Sequence, residues 1–179
     1  MGRKNILEGV LLLQNVPGSD NRGSTVKFYK SKKTDFKVSE SMIINSKKGV
    51  IRGIHFQKQH AQRKMITCIR GRIYVVVVDI RPDSAEFGNW MSLELDGTGE
   101  ASLIIPQGFA LGTYAMEDSM INYMCEGEYY PGFDDGIKWD DKSLKVAWPI
   151  DSEGDEPIIS EKDSKLSSFE EYRKEMYER

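Results

Sequence analysis

Between residues 50 and 95 short apolar runs, heavy in Val and Ile, are broken at close intervals by Gly, Pro, Asn and Asp, the punctuation of strands and tight turns. The clearest run is Ile73-Tyr74-Val75-Val76-Val77-Val78, after Gly71 and before Asp79. An unbroken, mostly β-branched run of this length predicts a strand covered on both faces. Residues 101–105 form a second run that stops at Pro106-Gln107-Gly108, and residues 120–124 and 145–148 form a third pair. Several short strands with turn chemistry between them predict an all-β barrel or sandwich, not an alternating α/β sheet. Helical spacing is confined to the tail, residues 163–179. There Ser167-Ser168-Phe169-Glu170 carries a capping-box pattern, and Phe169, Tyr172 and Met176 recur at helical intervals. That apolar stripe is packing surface, against the barrel or against a second subunit. Residues 30–37 are polar and read as a loop or sheet edge.

Composition narrows the picture. With 39% hydrophobic and 30% charged residues, a 179-residue chain can bury one core, so residues 1–179 are taken as a single domain. A net charge of -3 gives no basic excess to attract nucleic acid, and none is expected as a partner. Cys68 and Cys125 lie far apart without close Cys or His companions, which reads as two reduced structural thiols in a cytoplasmic protein. The apolar run at residues 10–13 is far shorter than a signal core or a membrane span, and Gly2 lacks the Ser or Thr of a myristoylation site, so no membrane association is expected.

Histidine is scarce: only His55 and His60 occur. A metal cage of several His and carboxylate ligands is therefore not expected, and no metal or other cofactor is assigned. His60, in Gln57-Lys58-Gln59-His60, reads as an exposed loop residue without a role. His55 follows Arg52-Gly53-Ile54 in an alternating segment that turns polar, which puts an imidazole at a strand end beside a cation. Taken alone, it would still read as structural.

Its surroundings change that reading. Arg52-Gly53-Ile54-His55-Phe56-Gln57 is followed by Lys64, by Asp79-Ile80-Arg81, by Ile105-Pro106-Gln107-Gly108-Phe109-Ala110, and by Trp139-Asp140-Asp141 ahead of Ala147-Trp148-Pro149. In this order and spacing the chain resembles the dTDP-4-dehydrorhamnose 3,5-epimerase family, from Asp20-Asn21-Arg22-Gly23 to Ile159-Ser160-Glu161-Lys162-Asp163. The resemblance implies a cupin jelly-roll barrel (double-stranded β-helix) that needs no metal. It implies also a homodimer with exchanged N-terminal strands, and a nucleotide-linked 4-keto sugar whose stereocentres beside the ketone are inverted.

A proton alpha to a ketone becomes removable when a base sits on it and the enolate oxygen meets a preorganised positive donor. A neutral imidazole is a natural base near pH 7. By position in the matching motif, His55 is that base and Asp163 accepts its other ring N–H. Lys64 matches the lysine that faces the carbonyl oxygen, a donor worth roughly 3 to 4 kcal/mol in comparable sites. Tyr123 matches the acid that returns a proton to the opposite face. Arg22 and Arg52 match arginines that grip the diphosphate, and Gln57 falls in the same binding motif. Arg52 lies on the opposite side of an ideal strand from His55, so a bend or bulge, eased by Gly53, is needed for the two to share a pocket.

Some positions depart from the family. Leu111 stands where the family usually has a second histidine, and Val75 where it usually has Asp. Losing both partners of a buried polar pair is energetically coherent, because losing one would strand the other. An enzyme acting at C3 only or C5 only is therefore a live expectation. Ser24, Thr25, Lys27, Glu40 and Met42 depart at the nucleotide end, so a CDP- or GDP-linked sugar is expected as readily as a dTDP-linked one. The stretch Cys125-Glu126-Gly127-Glu128-Tyr129-Tyr130 looks longer than the usual version and is expected to reshape the sugar end. Two rival readings remain at this point. A sugar 3,4-ketoisomerase would want a second His close to the first, which His55-Phe56-Gln57 does not offer. A non-catalytic sugar-nucleotide-binding cupin would keep the barrel without the reaction.

Overall fold

The structure is a computed structural model that describes residues 7–150 and 156–178. Its strands are β1 (Leu11–Gln14), β2 (Gly18–Asp20), β3 (Gly23–Thr25), β4 (Glu40–Ser46), β5 (Ile51–Gln57), β6 (Arg63–Arg70), β7 (Arg72–Asp79), β8 (Trp90–Asp96), β9 (Ala101–Ile105), β10 (Phe109–Ala115), β11 (Ser119–Glu126) and β12 (Asp134–Gly136). The helices are α1 (Ser31–Thr34), α2 (Glu161–Ser164) and α3 (Phe169–Tyr177). Ten strands form two antiparallel five-stranded sheets, ordered β1-β9-β6-β11-β4 and β12-β5-β10-β7-β8, while β2 and β3 pair as a separate hairpin. The two sheets enclose a common interior, the expected jelly-roll barrel.

The Ile73 to Val78 run shows why this architecture suits the sequence. Val75 and Val77 point into the barrel among Ile66, Leu93, Leu103 and Leu111. Val76 and Val78 point the other way, under Ile137, Leu144, Phe169 and Tyr172. All four valines are 0% exposed, so β7 is buried on both faces as its composition predicts. At roughly 25 cal/mol per Å² of apolar surface removed from water, such two-faced strands anchor the fold. The outer face of the first sheet is capped by Phe36, which packs with Met65, Ile104 and Met124.

Three local expectations are corrected. Residues 30–37 hold the short helix α1, where Thr34 returns both its N–H and its hydroxyl to the Lys30 carbonyl before Asp35 turns left-handed at φ 43°. Residues 145–148 are not a strand: Lys145 sits at φ 49° and donates its N–H back to Asp141, so the chain turns, and Trp148 anchors to the Trp139 carbonyl. The capping box lies one residue later than the sequence suggests, on Ser168 and Glu171. The α3 stripe of Phe169, Tyr172 and Met176 packs on the barrel, and the Tyr172 hydroxyl donates to the Ile80 carbonyl.

No helix among the described residues is long and apolar enough to cross a membrane.

Candidate active site

β5 carries His55 between β12 and β10, with Gly136 and Leu111 as its register partners. Alternation alone would turn Arg52 away from His55. The β5–β10 register shifts between Leu111 and Thr113, so that Leu111 opposes His55 while Thr113 opposes Arg52. Gly53 sits in this irregularity at φ +113°, and a Cβ there would lie 2.6 Å from the Leu111 carbonyl oxygen. Glycine is required because the left-handed region and the close approach both exclude a side chain. The result is the expected bulge, and Arg52 and His55 both line one cavity of about 830 Å³ inside the barrel.

Behind His55 stands Asp163. Its Oδ1 lies 2.9 Å from His55 Nε2, and its Oδ2 accepts the Gly53 N–H at 3.0 Å. The short helix α2 places it, since Ser160 caps the helix by accepting the Asp163 N–H. Burial pushes the Asp163 carboxyl up, but the bonds from His55, Gly53 and Ser160 outweigh it and hold the group below its ordinary value. An ionised Asp163 accepts from Nε2–H and leaves Nδ1 as the basic nitrogen.

The opposite wall is the first sheet. Lys64, Cys125 and Glu40 stand in one cross-strand row, and Ile66, Tyr123 and Met42 in the next. Lys64 is 7% exposed, and its ammonium reaches the His55 carbonyl at 3.4 Å, so the cation lies beside His55. Burial lowers its pKa, while the negative charge of Asp134 opposes the loss. Burial likewise raises the Tyr123 phenol well above its ordinary value, so it keeps its proton. The Tyr123 hydroxyl makes no hydrogen bond to another described residue. Imidazole and phenol therefore come from different sheets and face one space.

Four of the expected residues, His55, Asp163, Lys64 and Tyr123, converge on the cavity, with Arg52 at its rim, where Ser46 and the Asn45 carbonyl hold the guanidinium. Gln57 lines the cavity too, but its amide is committed to backbone: Nε2 donates to the His60 and Glu128 carbonyls and Oε1 accepts the Tyr130 N–H. It shapes the loop more directly than it meets a ligand. Arg22 is not brought to the cavity of its own chain. It lies at the β2–β3 turn, paired with Asp20 at 2.6 Å, with its side chain 85% exposed. Ser24, on β3, stands away from this cavity as well, and Thr25 and Lys27 line a smaller one beside Phe28.

His60 is exposed and stacks on Tyr130 with centroids 4.5 Å apart, which leaves His55 as the cavity's histidine. Leu111 and Val75 lie in the same buried apolar cluster, Leu111 also facing the cavity. Asp134 and Lys162 line the cavity without a role expected from the sequence, and Tyr129 comes from the 125–130 stretch expected to reshape its sugar end. Tyr129 donates to Asp134 at 2.9 Å and Lys162 forms an ion pair with the same carboxylate. The adjacency of Lys162 to Asp163 is the signal in sequence that could have found Lys162. Among the described residues, no three His, Cys, Asp or Glu side chains converge as a metal site.

A basic imidazole backed by a carboxylate, a cation beside it and a neutral phenol across from it can remove a proton from carbon, stabilise the enolate and reprotonate it from the other side. Known proteins carry the same arrangement of chain. A model of the dTDP-4-dehydrorhamnose 3,5-epimerase family matches residues 4–171. The dTDP-4-dehydrorhamnose 3,5-epimerase of Methanothermobacter thermautotrophicus is 35% identical over 169 residues, 89% of each chain. The solved epimerase of Mycobacterium tuberculosis aligns with a TM-score of 0.90 at 31% identity, over 98% of this chain and 92% of that one. The dTDP-6-deoxy-D-glucose 3,5-epimerase of Legionella pneumophila, solved with dTDP-4-keto-L-rhamnose, aligns at 0.84 and 28% identity, over 89% and 87%. By sequence and by structure, then, this chain belongs to the dTDP-4-dehydrorhamnose 3,5-epimerase family.

Proposed function

We propose that this protein is an epimerase of a nucleotide-linked 4-keto-6-deoxy sugar, working through an enolate without a metal. The observation that carries the reading is the placement of the His55–Asp163 pair and Tyr123 on opposite walls of one cavity, with Lys64 beside His55. In this reading His55 takes the proton alpha to the ketone and Asp163 holds the imidazole's tautomer and orientation. Lys64 meets the developing enolate oxygen, and Tyr123 delivers a proton to the far face. Proton NMR in deuterium oxide with a dTDP-linked 4-keto-6-deoxyhexose tests it. Deuterium entering beside the ketone, followed by inversion, is the expected result; binding without exchange would favour a non-catalytic binding module.

The apolar pairing of Leu111 with the Val75 cluster favours action at one carbon, C3 or C5, and inversion at both would sink that refinement. Glu40 and Met42 on the cavity wall support a base other than thymine, so CDP- and GDP-linked sugars stand beside dTDP-linked ones. Calorimetric titration with dTDP, CDP and GDP decides, and clearly tightest binding of dTDP would reject it.

The exposed hairpin at Arg22 fits a homodimer with exchanged N-terminal strands, in which Arg22 reaches the diphosphate in the partner's cavity. Light scattering that returns a monomer would remove Arg22 from the site. The two free, buried cysteines suit a reducing cytoplasm.

A further inference from the structure

One hydroxyl on the β10 wall of the cavity has no task in proton transfer. Along β10, Phe109 and Leu111 point into the barrel and Ala110 points to the outer layer. Thr113 continues the inner row and lines the cavity together with Leu111. It is 9% exposed, and its hydroxyl makes no hydrogen bond to another described residue.

The neighbours across the sheet offer that hydroxyl no acceptor. On β7 its register partner is Val75, apolar and 0% exposed. On β5 the partner is Arg52, a donor whose guanidinium is held at the cavity rim by Ser46 and the Asn45 carbonyl. Leaving a hydroxyl buried without a partner is costly, and a valine would pack beside Val75 without that cost. A ligand atom that accepts the bond removes it.

Position selects the ligand atom. Leu111 opposes His55, and Thr113 opposes Arg52. Successive inward residues of a strand stand about 6 to 7 Å apart, so Thr113 lies beyond the His55 row by the width of a pyranose ring, on the Arg52 side. A sugar with its ketone at Lys64 and its reacting carbon at His55 brings the phosphoryl on its anomeric carbon to that level. Hydroxyl and guanidinium then flank one anionic group, where a charge-assisted bond is strongest.

We propose that Thr113 is a substrate-binding residue: its hydroxyl donates to the sugar-linked phosphoryl of the diphosphate beside Arg52, and so sets how the sugar sits against His55. This rests on the nucleotide-sugar reading above and assigns that phosphoryl a ligand on β10.

Calorimetry, steady-state kinetics and thermal melts of Thr113→Val and Thr113→Ser test it. The probes are dTDP, CDP and GDP, then the monophosphate of whichever one the wild type binds most tightly. Thr113→Val should weaken the diphosphate about tenfold, the scale of one hydrogen bond to a charged group. The monophosphate lacks the phosphoryl in question, so its affinity should not change, and Thr113→Ser should restore most of the lost diphosphate affinity. KM for a 4-keto sugar substrate should rise with the loss of affinity and kcat should change less, because the bond is present before and during proton transfer. Tm should not fall in Thr113→Val, since no bond within the protein is lost. Wild-type diphosphate affinity in Thr113→Val, or equal weakening of monophosphate and diphosphate, overturns the proposal. A Thr113→Val protein that melts lower or fails to fold gives the hydroxyl a task in the fold and overturns it as well. A wild type that binds none of the three diphosphates overturns the nucleotide-sugar reading itself, and shows before any variant is compared.

Discussion

Asp163 grips His55 and the bulge that aims it with one carboxylate: Oδ1 lies 2.9 Å from the imidazole Nε2 while Oδ2 accepts the Gly53 N–H at 3.0 Å. Orientation of the imidazole and geometry of its strand are thus set by a residue 108 positions away in the chain. Asp163→Asn keeps the size of the side chain but presents either an amide N–H or a weaker acceptor to Nε2, which disfavours the tautomer with a basic Nδ1. We expect kcat to fall by a factor on the order of 10³ to 10⁴, with nucleotide binding by calorimetry little changed. A loss below tenfold would mean that Asp163 is only a structural cap of α2.

Lys64 is expected to set the alkaline edge of activity. Burial lowers its pKa below the ordinary 10.5, and the charged form is the useful one, so activity is present below the lowered pKa and lost as pH rises through it. Tyr123 moves the opposite way and keeps its proton beyond that point. The alkaline limb of kcat is therefore expected to belong to Lys64. Lys64→Met should cost about 10² to 10³ in kcat, and any residual activity of Lys64→Arg, whose guanidinium stays charged, should lack the limb. An alkaline limb unchanged in Lys64→Arg would assign it to another group.

Tyr123 separates exchange from inversion. With His55 intact, Tyr123→Phe should still wash deuterium into the carbon beside the ketone from the His55 side, because abstraction and return can use the same base. Inversion should fall by about 10² to 10⁴, the usual worth of a positioned acid. Parallel loss of exchange and inversion would instead give Tyr123 a role in binding or in enolate stabilisation.

The sequence carried the parts of this fold whose burial is two-sided or whose chemistry is held in a motif. The Val75 to Val78 run declares its strand because both faces are packed. By contrast β4, with Ile43 49% exposed, offers no clean alternation, and Lys145 shows no sign in sequence of its left-handed turn. His55, Arg52 and Asp163 were legible because motif order survives when the chain is read as a line. Asp134 and Lys162 were not, since isolated polar residues on short elements look alike until folding makes them neighbours. Gln57 was legible as part of the site but not in its task, because the backbone groups that occupy its amide lie as far away as Tyr130.

Gly53 makes the most demanding prediction about sequence and site together. Its φ of +113° and the 2.6 Å that a Cβ would leave to the Leu111 oxygen exclude any side chain without movement of β10. Gly53→Ala should therefore lower stability by about 1 to 3 kcal/mol, the range for a residue forced into such a conformation, read from the urea midpoint. Movement there also shifts the N–H that Asp163 accepts and the register that lets Arg52 share the cavity with His55. The folded fraction of Gly53→Ala should consequently lose kcat and nucleotide affinity together, whereas Asp163→Asn loses kcat alone. A Gly53→Ala enzyme with wild-type affinity would show that Arg52 reaches its ligand without the bulge.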